Sequence, residues 1–138
     1  MTRTSSPAAY PPLPLMDLDQ WIAIEKQAYF EGCQMVSEPL QECLREEVRH
    51  RGTPFQQAVW LAIMQIPYGS TITYSELAKR IGHPRAVRAV ANACGANPFP
   101  IVIPCHRVVA KSGIGGYAFG IDQKRHLLQL EQYLLKNV

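Results

Sequence analysis

Residues 103–107 read Ile-Pro-Cys-His-Arg, which sets a thiol beside an imidazole and a guanidinium. The thiolate is the strongest nucleophile among protein side chains, and a neighbouring imidazole or cation stabilises it near neutral pH. Cys105 is therefore a candidate nucleophile. Adjacency is not contact, because successive side chains on an extended strand point to opposite faces. A Cys105–His106 couple needs a turn, or a water between the two groups. A Cys-His pair alone is equally compatible with a small buried cysteine and an arginine on a solvated face, so the surrounding residues must decide.

The flanking segments read as scaffolding for a site. Pro98, Pro100 and Pro104 bracket short extended pieces, Lys111-Ser112-Gly113 looks like a turn, and Gly115, Gly116 and Gly120 leave backbone free to approach a ligand. Asp122 is expected to cap a closing helix whose Leu127, Leu128, Leu130, Tyr133 and Leu134 face the core. Upstream, Thr53, Pro54 and Gln56 make a capping box at the head of a helix with an apolar stripe of Phe55, Val59, Trp60, Ile63 and Met64. Thr73 and Glu76 suggest a second capping box, opening a short helix that Gly82 ends. Pro84 then starts a further helix running through Arg85 and Arg88 to Gly95. Two short helices joined by a tight glycine turn are a helix-turn-helix signature, in which the second helix meets DNA. Ala86, Ala89, Ala91, Ala93 and Gly95 allow close approach but cannot hydrogen-bond base edges. Such a helix docks by shape and phosphates, with little sequence readout.

The charges divide unevenly along the chain. Residues 1–50 carry four Lys/Arg against eight Asp/Glu, and residues 51–138 carry ten against three. A basic module with so few acids fits a phosphate-binding surface, although a solvated basic face has the same composition. Cysteines 33, 43, 94 and 105 form no Cys-x-x-Cys pair and read as reduced thiols. No apolar run reaches the length of a membrane span, and a soluble protein of the cytoplasm, or of the nucleus in a eukaryote, is expected. A metal site from Cys33, Cys43 and His50 is disfavoured by spacings of ten and seven residues. Residues 1–15 form a proline-rich leader, followed by helical patterns over Leu18–Val36 and Pro39–Val48.

From Gly52 to Glu131 the chain resembles the C-terminal, active domain of the O6-alkylguanine-DNA alkyltransferases. The likeness rests on Gly52-Thr53-Pro54-Phe55-Gln56-Gln57 with Val59-Trp60, and on Ile66-Pro67-Tyr68-Gly69 leading to Thr73-Tyr74. Further matches are Arg85-Ala86-Val87-Arg88-Ala89-Val90, Ala96-Asn97-Pro98, Ile101 to Val109 around the Pro-Cys-His-Arg core, and Gly116-Tyr117-Ala118. The resemblance implies a mainly α fold: a winged helix-turn-helix-like DNA-binding active domain (51–138) with a few short strands, preceded by a small helical N-terminal region (1–50). Most members carry a larger N-terminal α/β domain with a ribonuclease-H-like sheet. Fifty residues beginning with a proline leader are too few for it, so a reduced helical cap is expected.

The resemblance also assigns roles. Cys105 would attack the alkyl carbon on O6 of a modified guanine in double-stranded DNA, a single-turnover repair reaction without cofactor or metal, carried out by a monomer. His106 matches the imidazole that takes the thiol proton through a water, and Glu131 the carboxylate that orients it, as in a hydrolytic triad. Asn97 matches the brace between recognition helix and active-site strand, and Tyr74 a phenol that rotates a phosphate and hydrogen-bonds the departing guanine. Arg88 matches the finger that replaces the flipped-out nucleotide in the stack. Arg85, Arg88, Ala89, Tyr74 and Arg107 form the expected DNA-facing set. Tyr117, Ala118 and Phe119 form the expected pocket wall, with Phe119 where many relatives have glycine. Two rival readings are a non-catalytic alkyltransferase-like lesion sensor, whose members generally have tryptophan in place of Cys105, and a winged-helix regulator with an incidental cysteine.

Overall fold

The computed structural model describes residues 17–33 and 35–137; the expected leader over 1–15 lies outside them. Its elements are α1 (Leu18–Phe30), α2 (Glu38–Val48), α3 (Pro54–Ile63), β1 (Ile72–Thr73), α4 (Tyr74–Arg80), α5 (Val87–Gly95), β2 (Val108–Val109) and α6 (Ile121–Asn137). A 3-10 turn over Cys105–Arg107 immediately precedes β2.

Side-chain caps fix three of the six helix starts. Asp17 and Gln20 cap α1 reciprocally, with Gln20 N donating to Asp17 Oδ1 at 2.8 Å and Asp17 N donating to Gln20 Oε1 at 3.1 Å. Thr53 and Gln56 do the same for α3 at 3.1 and 2.9 Å, an arrangement contributing about 1 kcal/mol. At α4 only half of the expected box forms: Glu76 N donates to Thr73 Oγ1, with no return bond from the Glu76 side chain. Pro84 does not start the next helix. Residues 84–86 form a turn and α5 begins at Val87, leaving Arg85 on the connection between the two helices. Asp122 does not cap α6 but lies inside its first turn, paired with Arg125 at 3.1 Å. Tyr133, expected in the core, is 63% exposed, because the helix buries its other face.

One continuous core joins the N-terminal helices to the rest. Trp21 and Ile22 of α1 and Leu40, Leu44 and Val48 of α2 pack in the same cluster as Val59, Trp60 and Ile63 of α3 and Val90 and Ala93 of α5. Trp60 Nε1 donates to Ala93 O at 2.8 Å, tying α3 to α5 without leaving a buried polar group unpaired. The α4–α5 pair is the helix-turn-helix, packed on α3.

The small sheet positions the chemistry. Strands β1 and β2 run parallel, with Ile72 opposite Val108 and Thr73 opposite Val109. Tyr74 follows β1 directly and the Cys-His-Arg turn directly precedes β2, so this short pairing brings Tyr74 and Cys105 to one side of the molecule. Gly69, at φ +81°, lets the backbone approach α6; a Cβ there would stand 2.8 Å from Leu135 Cδ2.

Candidate active site

The 3-10 turn supplies the bend that a Cys-His couple requires. Cys105 is 4% exposed and His106 is fully buried. Asn97 holds the thiol: its Nδ2 donates to Ile103 O at 2.7 Å and to Cys105 Sγ at 3.1 Å. The Phe99 N–H, which can only donate, meets Asn97 Oδ1 at 2.9 Å and so fixes which way the amide points. Between these anchors Ile101, a β-branched residue, adopts φ +77°, a costly conformation that the surrounding bonds hold in place.

Glu131 is the electrostatic centre. Its Oε2 receives His106 Nε2 at 2.5 Å, Tyr29 Oη at 2.9 Å and Arg107 Nη2 at 3.0 Å, and its Oε1 receives Gly69 N and Arg107 Nε, each at 3.0 Å. Burial alone would raise the carboxyl pKa, but the His106 and Arg107 hydrogen bonds and charges overcome it and lower it to about 2. Burial lowers the His106 pKa despite the carboxylate beside it. The imidazole is therefore neutral and donates from Nε2. Its Nδ1 is then an acceptor, buried and without a protein partner. Burial pushes the Cys105 thiol up, against the opposing Asn97 hydrogen bond and the Lys124 ammonium. The resting group is a thiol, so a base must remove its proton as it reacts.

Arg107 departs from the expected DNA-facing role. It is 8% exposed and spends its donors on Glu131 and, through Nη1 at 2.9 Å, on Ile66 O. A guanidinium buried against a carboxylate in the interior is not placed to meet a phosphate at the surface. Arg85, Arg88 and Ala89 lie on the α4–α5 connection and α5, near exposed Lys79 and Arg80 of α4.

Beside Cys105 lies a cavity of about 220 Å³, walled by Tyr74, by Ala91, Cys94 and Gly95 of α5, and by Gly116, Tyr117 and Ala118. Phe119 does not line it. Its ring is 57% exposed and stands edge-on to Tyr117 at 5.5 Å, which corrects its expected place in the wall: the chain turns at 118–120 and carries the ring outward. A larger cavity of about 270 Å³ lies between α1 and the 64–68 segment and does not include Cys105. Cys33, Cys43 and His50 do not converge; His50 Nε2 meets Glu46 at 3.2 Å, and Cys33 donates to Met35 O. Among the described residues no three His, Cys, Asp or Glu side chains are grouped to hold a metal, and no helix is long and apolar enough to cross a membrane.

Two site residues escaped the sequence. Lys124 is fully buried in α6 and donates to Val108 O at 2.6 Å, Gly116 O at 2.9 Å and Tyr74 Oη at 3.3 Å. It clamps the cavity wall to β2. Its spacing from Leu127 and Glu131 on one helical face was the available signal. Tyr29, from α1, had no signal beyond its place in the helical pattern over Leu18–Val36. Tyr74 itself donates to Gly116 O at 3.3 Å, and burial pushes its pKa up to about 12. Gly115, at φ +80°, is what lets that loop pass the ring; a Cβ would stand 3.0 Å from it.

The family described as 6-O-methylguanine DNA methyltransferase, DNA binding domain, matches residues 54–133. A methylated-DNA–protein-cysteine methyltransferase of Methanosarcina barkeri is 45% identical over 115 residues, covering 83% of this chain and 68% of that one. A mimivirus protein named as a probable methyltransferase of the same kind is 58% identical over 82 residues, covering 59% of this chain and 55% of its own. Among solved structures, Mycobacterium tuberculosis OGT in complex with DNA superposes with a TM-score of 0.71 at 41% identity, over 83% of this chain and 67% of that one. S. pombe Atl1 bound to DNA containing O6-carboxymethylguanine gives 0.51 at 32% identity, over 59% and 78%. The chain spans about half the length of the mimivirus and mycobacterial relatives it matches in sequence. With the helix-turn-helix, the buried Cys-His-Glu constellation and a family match across more than half of its residues, this chain belongs to the 6-O-methylguanine DNA methyltransferase family.

Proposed function

We propose that the protein repairs O6-alkylguanine in double-stranded DNA by transferring the alkyl group irreversibly to Cys105. The observation that carries this reading is a thiol bonded by Asn97 at the edge of a cavity, with a neutral imidazole paired to a carboxylate at the next residue. Sγ attacks the alkyl carbon; the S–C bond forms as the C–O6 bond breaks, and the electron pair leaves on the guanine. The thiol proton passes through a water to His106 Nδ1, the buried acceptor that Nε2 donation to Glu131 leaves free. Tyr74 stays protonated at working pH; its single O–H, held by Gly116 O in the free protein, turns to the departing base, and Lys124 donating to its oxygen makes it a better donor there. Tyr117 and Ala118 line the cavity that receives the base.

A base stacked in a duplex cannot present O6 to a buried thiol and must be flipped. Arg88, exposed on α5, suits the stack-filling role. Arg88→Ala is expected to slow repair of duplex DNA more than reaction with the free modified base, by about tenfold on the scale of one lost charged contact; equal losses on both substrates would reject that role. Because Phe119 points away from the cavity, Phe119→Gly should change the ratio of benzyl to methyl transfer rates by less than about threefold. Parallel rates for both substrates in both proteins measure it.

Cys105 with its base–orienter pair argues against the lesion-sensor reading, and the likeness to S. pombe Atl1 speaks for binding to damaged DNA under either reading. Stoichiometry separates them. A thioether is a poor leaving group and this site offers nothing to cleave it, so with excess methylated duplex, product should plateau at one equivalent of active protein. The protein should gain one methyl mass on the peptide holding Cys105. Sustained turnover, or no mass gain at all, overturns the proposal.

A further inference from the structure

We propose that Tyr29, on α1, is a positioning residue for this reaction, its hydroxyl fixing the carboxylate of Glu131 that in turn orients His106. The inference rests on the alkyl-transfer reading above and extends the site beyond the residues 54–133 that match the family. Tyr29 Oη donates at 2.9 Å to Glu131 Oε2, the same oxygen that receives His106 Nε2. The ring is 7% exposed and stands edge-on to His106 at 6.2 Å and to Tyr68 at 6.0 Å. One side chain thus touches both the imidazole and the group that orients it.

The direction of its effect follows from the charges around the pair. His106 faces Glu131, Arg107 and Lys124, and Tyr29 faces Glu131, Arg107 and Tyr68. Arg107 supplies the compensating cation for Glu131, whereas Tyr29 supplies a neutral donor. Burial and the adjacent carboxylate push the Tyr29 phenol far up, so it remains a donor at every working pH. By drawing on Oε2, that donor weakens the carboxylate's hold on an imidazolium. Without it, Oε2 is more basic, His106 keeps its proton to higher pH, and the fraction of neutral base falls. Tyr29 also explains a use for α1: the helix is packed into the common core through Trp21 and Ile22, which sets the height of the phenol over Glu131.

Tyr29→Phe in the full chain retains the ring contacts and removes only the donor. Single-turnover methyl transfer from an O6-methylguanine duplex should slow no more than about threefold near neutrality, where most of the base stays neutral, and about three- to tenfold on the acid limb. The acid limb of the pH–rate profile should move upward by about half a unit to one unit. Binding of the same duplex, measured in a Cys105→Ser background, should stay at the level of Cys105→Ser alone. A second measurement needs no substrate: the His106 imidazole resonances, titrated by NMR, should give a higher pKa in Tyr29→Phe. A wild-type rate and acid limb in Tyr29→Phe, or a slower rate with an unmoved limb and an unmoved His106 pKa, overturns the proposal. If the wild-type chain itself transfers no methyl group, the alkyl-transfer reading fails instead, and the NMR titration still decides whether Tyr29 tunes His106.

Discussion

Cys105→Ser is expected to abolish alkyl transfer, by at least about a thousandfold, while duplex affinity stays within about threefold of wild type. A serine hydroxyl is far less acidic than a thiol and its oxygen a poorer nucleophile toward an alkyl carbon, so the base that serves the thiol cannot activate it comparably. The surface that would meet DNA is elsewhere: Lys79, Arg80, Arg85 and Arg88 lie on α4, α5 and their connection, whereas Cys105 is buried. Chemistry and binding are therefore separable. Mass spectrometry for transfer and fluorescence anisotropy for binding test both halves. Transfer retained in Cys105→Ser, or a methyl group recovered on Cys94, would reject Cys105 as the nucleophile. Cys94 is the informative control, because it lines the same cavity yet burial raises its pKa to about 12 and no Asn97 amide supports its sulfur.

The parts of this site that sequence exposes are those written in local chemistry. A Thr-Pro-x-Gln start, a glycine turn between two short helices and a Pro-Cys-His-Arg run each declare themselves within a few residues. The second capping box is an instructive partial failure: Thr73 caps α4, but the Glu76 side chain makes no return bond to the Thr73 backbone. Pro84 reads as a helix start by the same logic, yet the turn that closes on His83, with Ala86 N donating to His83 O at 2.9 Å, delays α5 to Val87. Apart from the His106–Glu131 pair, which the family resemblance implies, what is not legible is pairing across the fold. Arg107 looks like one more cation in a basic module until α6 sets Glu131 against it, 24 residues away, and Tyr29 looks like core until its hydroxyl meets the same carboxylate across 102 residues. Lys124, a charge in a helix of leucines, reads as surface, although three acceptors await it inside. In each case a buried polar group gains its place only because distant elements bring the partners that offset its desolvation.

Glu131→Gln should produce the largest stability loss of any conservative change in the site, about 3–5 kcal/mol, a drop on the order of 10 °C in melting temperature. The carboxylate is 1% exposed and neutralises Arg107, itself 8% exposed. A carboxamide is nearly the same shape but leaves a buried guanidinium without its counter-charge, and it presents an N–H₂ where donors already crowd. The pH dependence distinguishes this cause from a packing defect. Glu131 has its pKa lowered from 4.5 to about 2 in the folded chain, so its contribution is fully present above about pH 4.5 and is lost as pH falls toward about 2. His106 has its pKa lowered from 6.5; the unfolded chain binds that proton more readily, so wild type also loses stability as pH falls below about 6.5. The carboxamide of the variant cannot titrate, and without the carboxylate that raises it the His106 pKa is lower still, so between about pH 6.5 and 5 the variant loses stability at least as fast as wild type. The melting-temperature gap between wild type and Glu131→Gln should therefore be widest above about pH 5 and close as pH falls below about 4.5. A constant gap across that range would mean that shape, and not charge, is what Glu131 contributes. Transfer should fall as well, even at temperatures where the variant is fully folded, because an imidazole without the carboxylate loses the acceptor that fixes its tautomer and orientation.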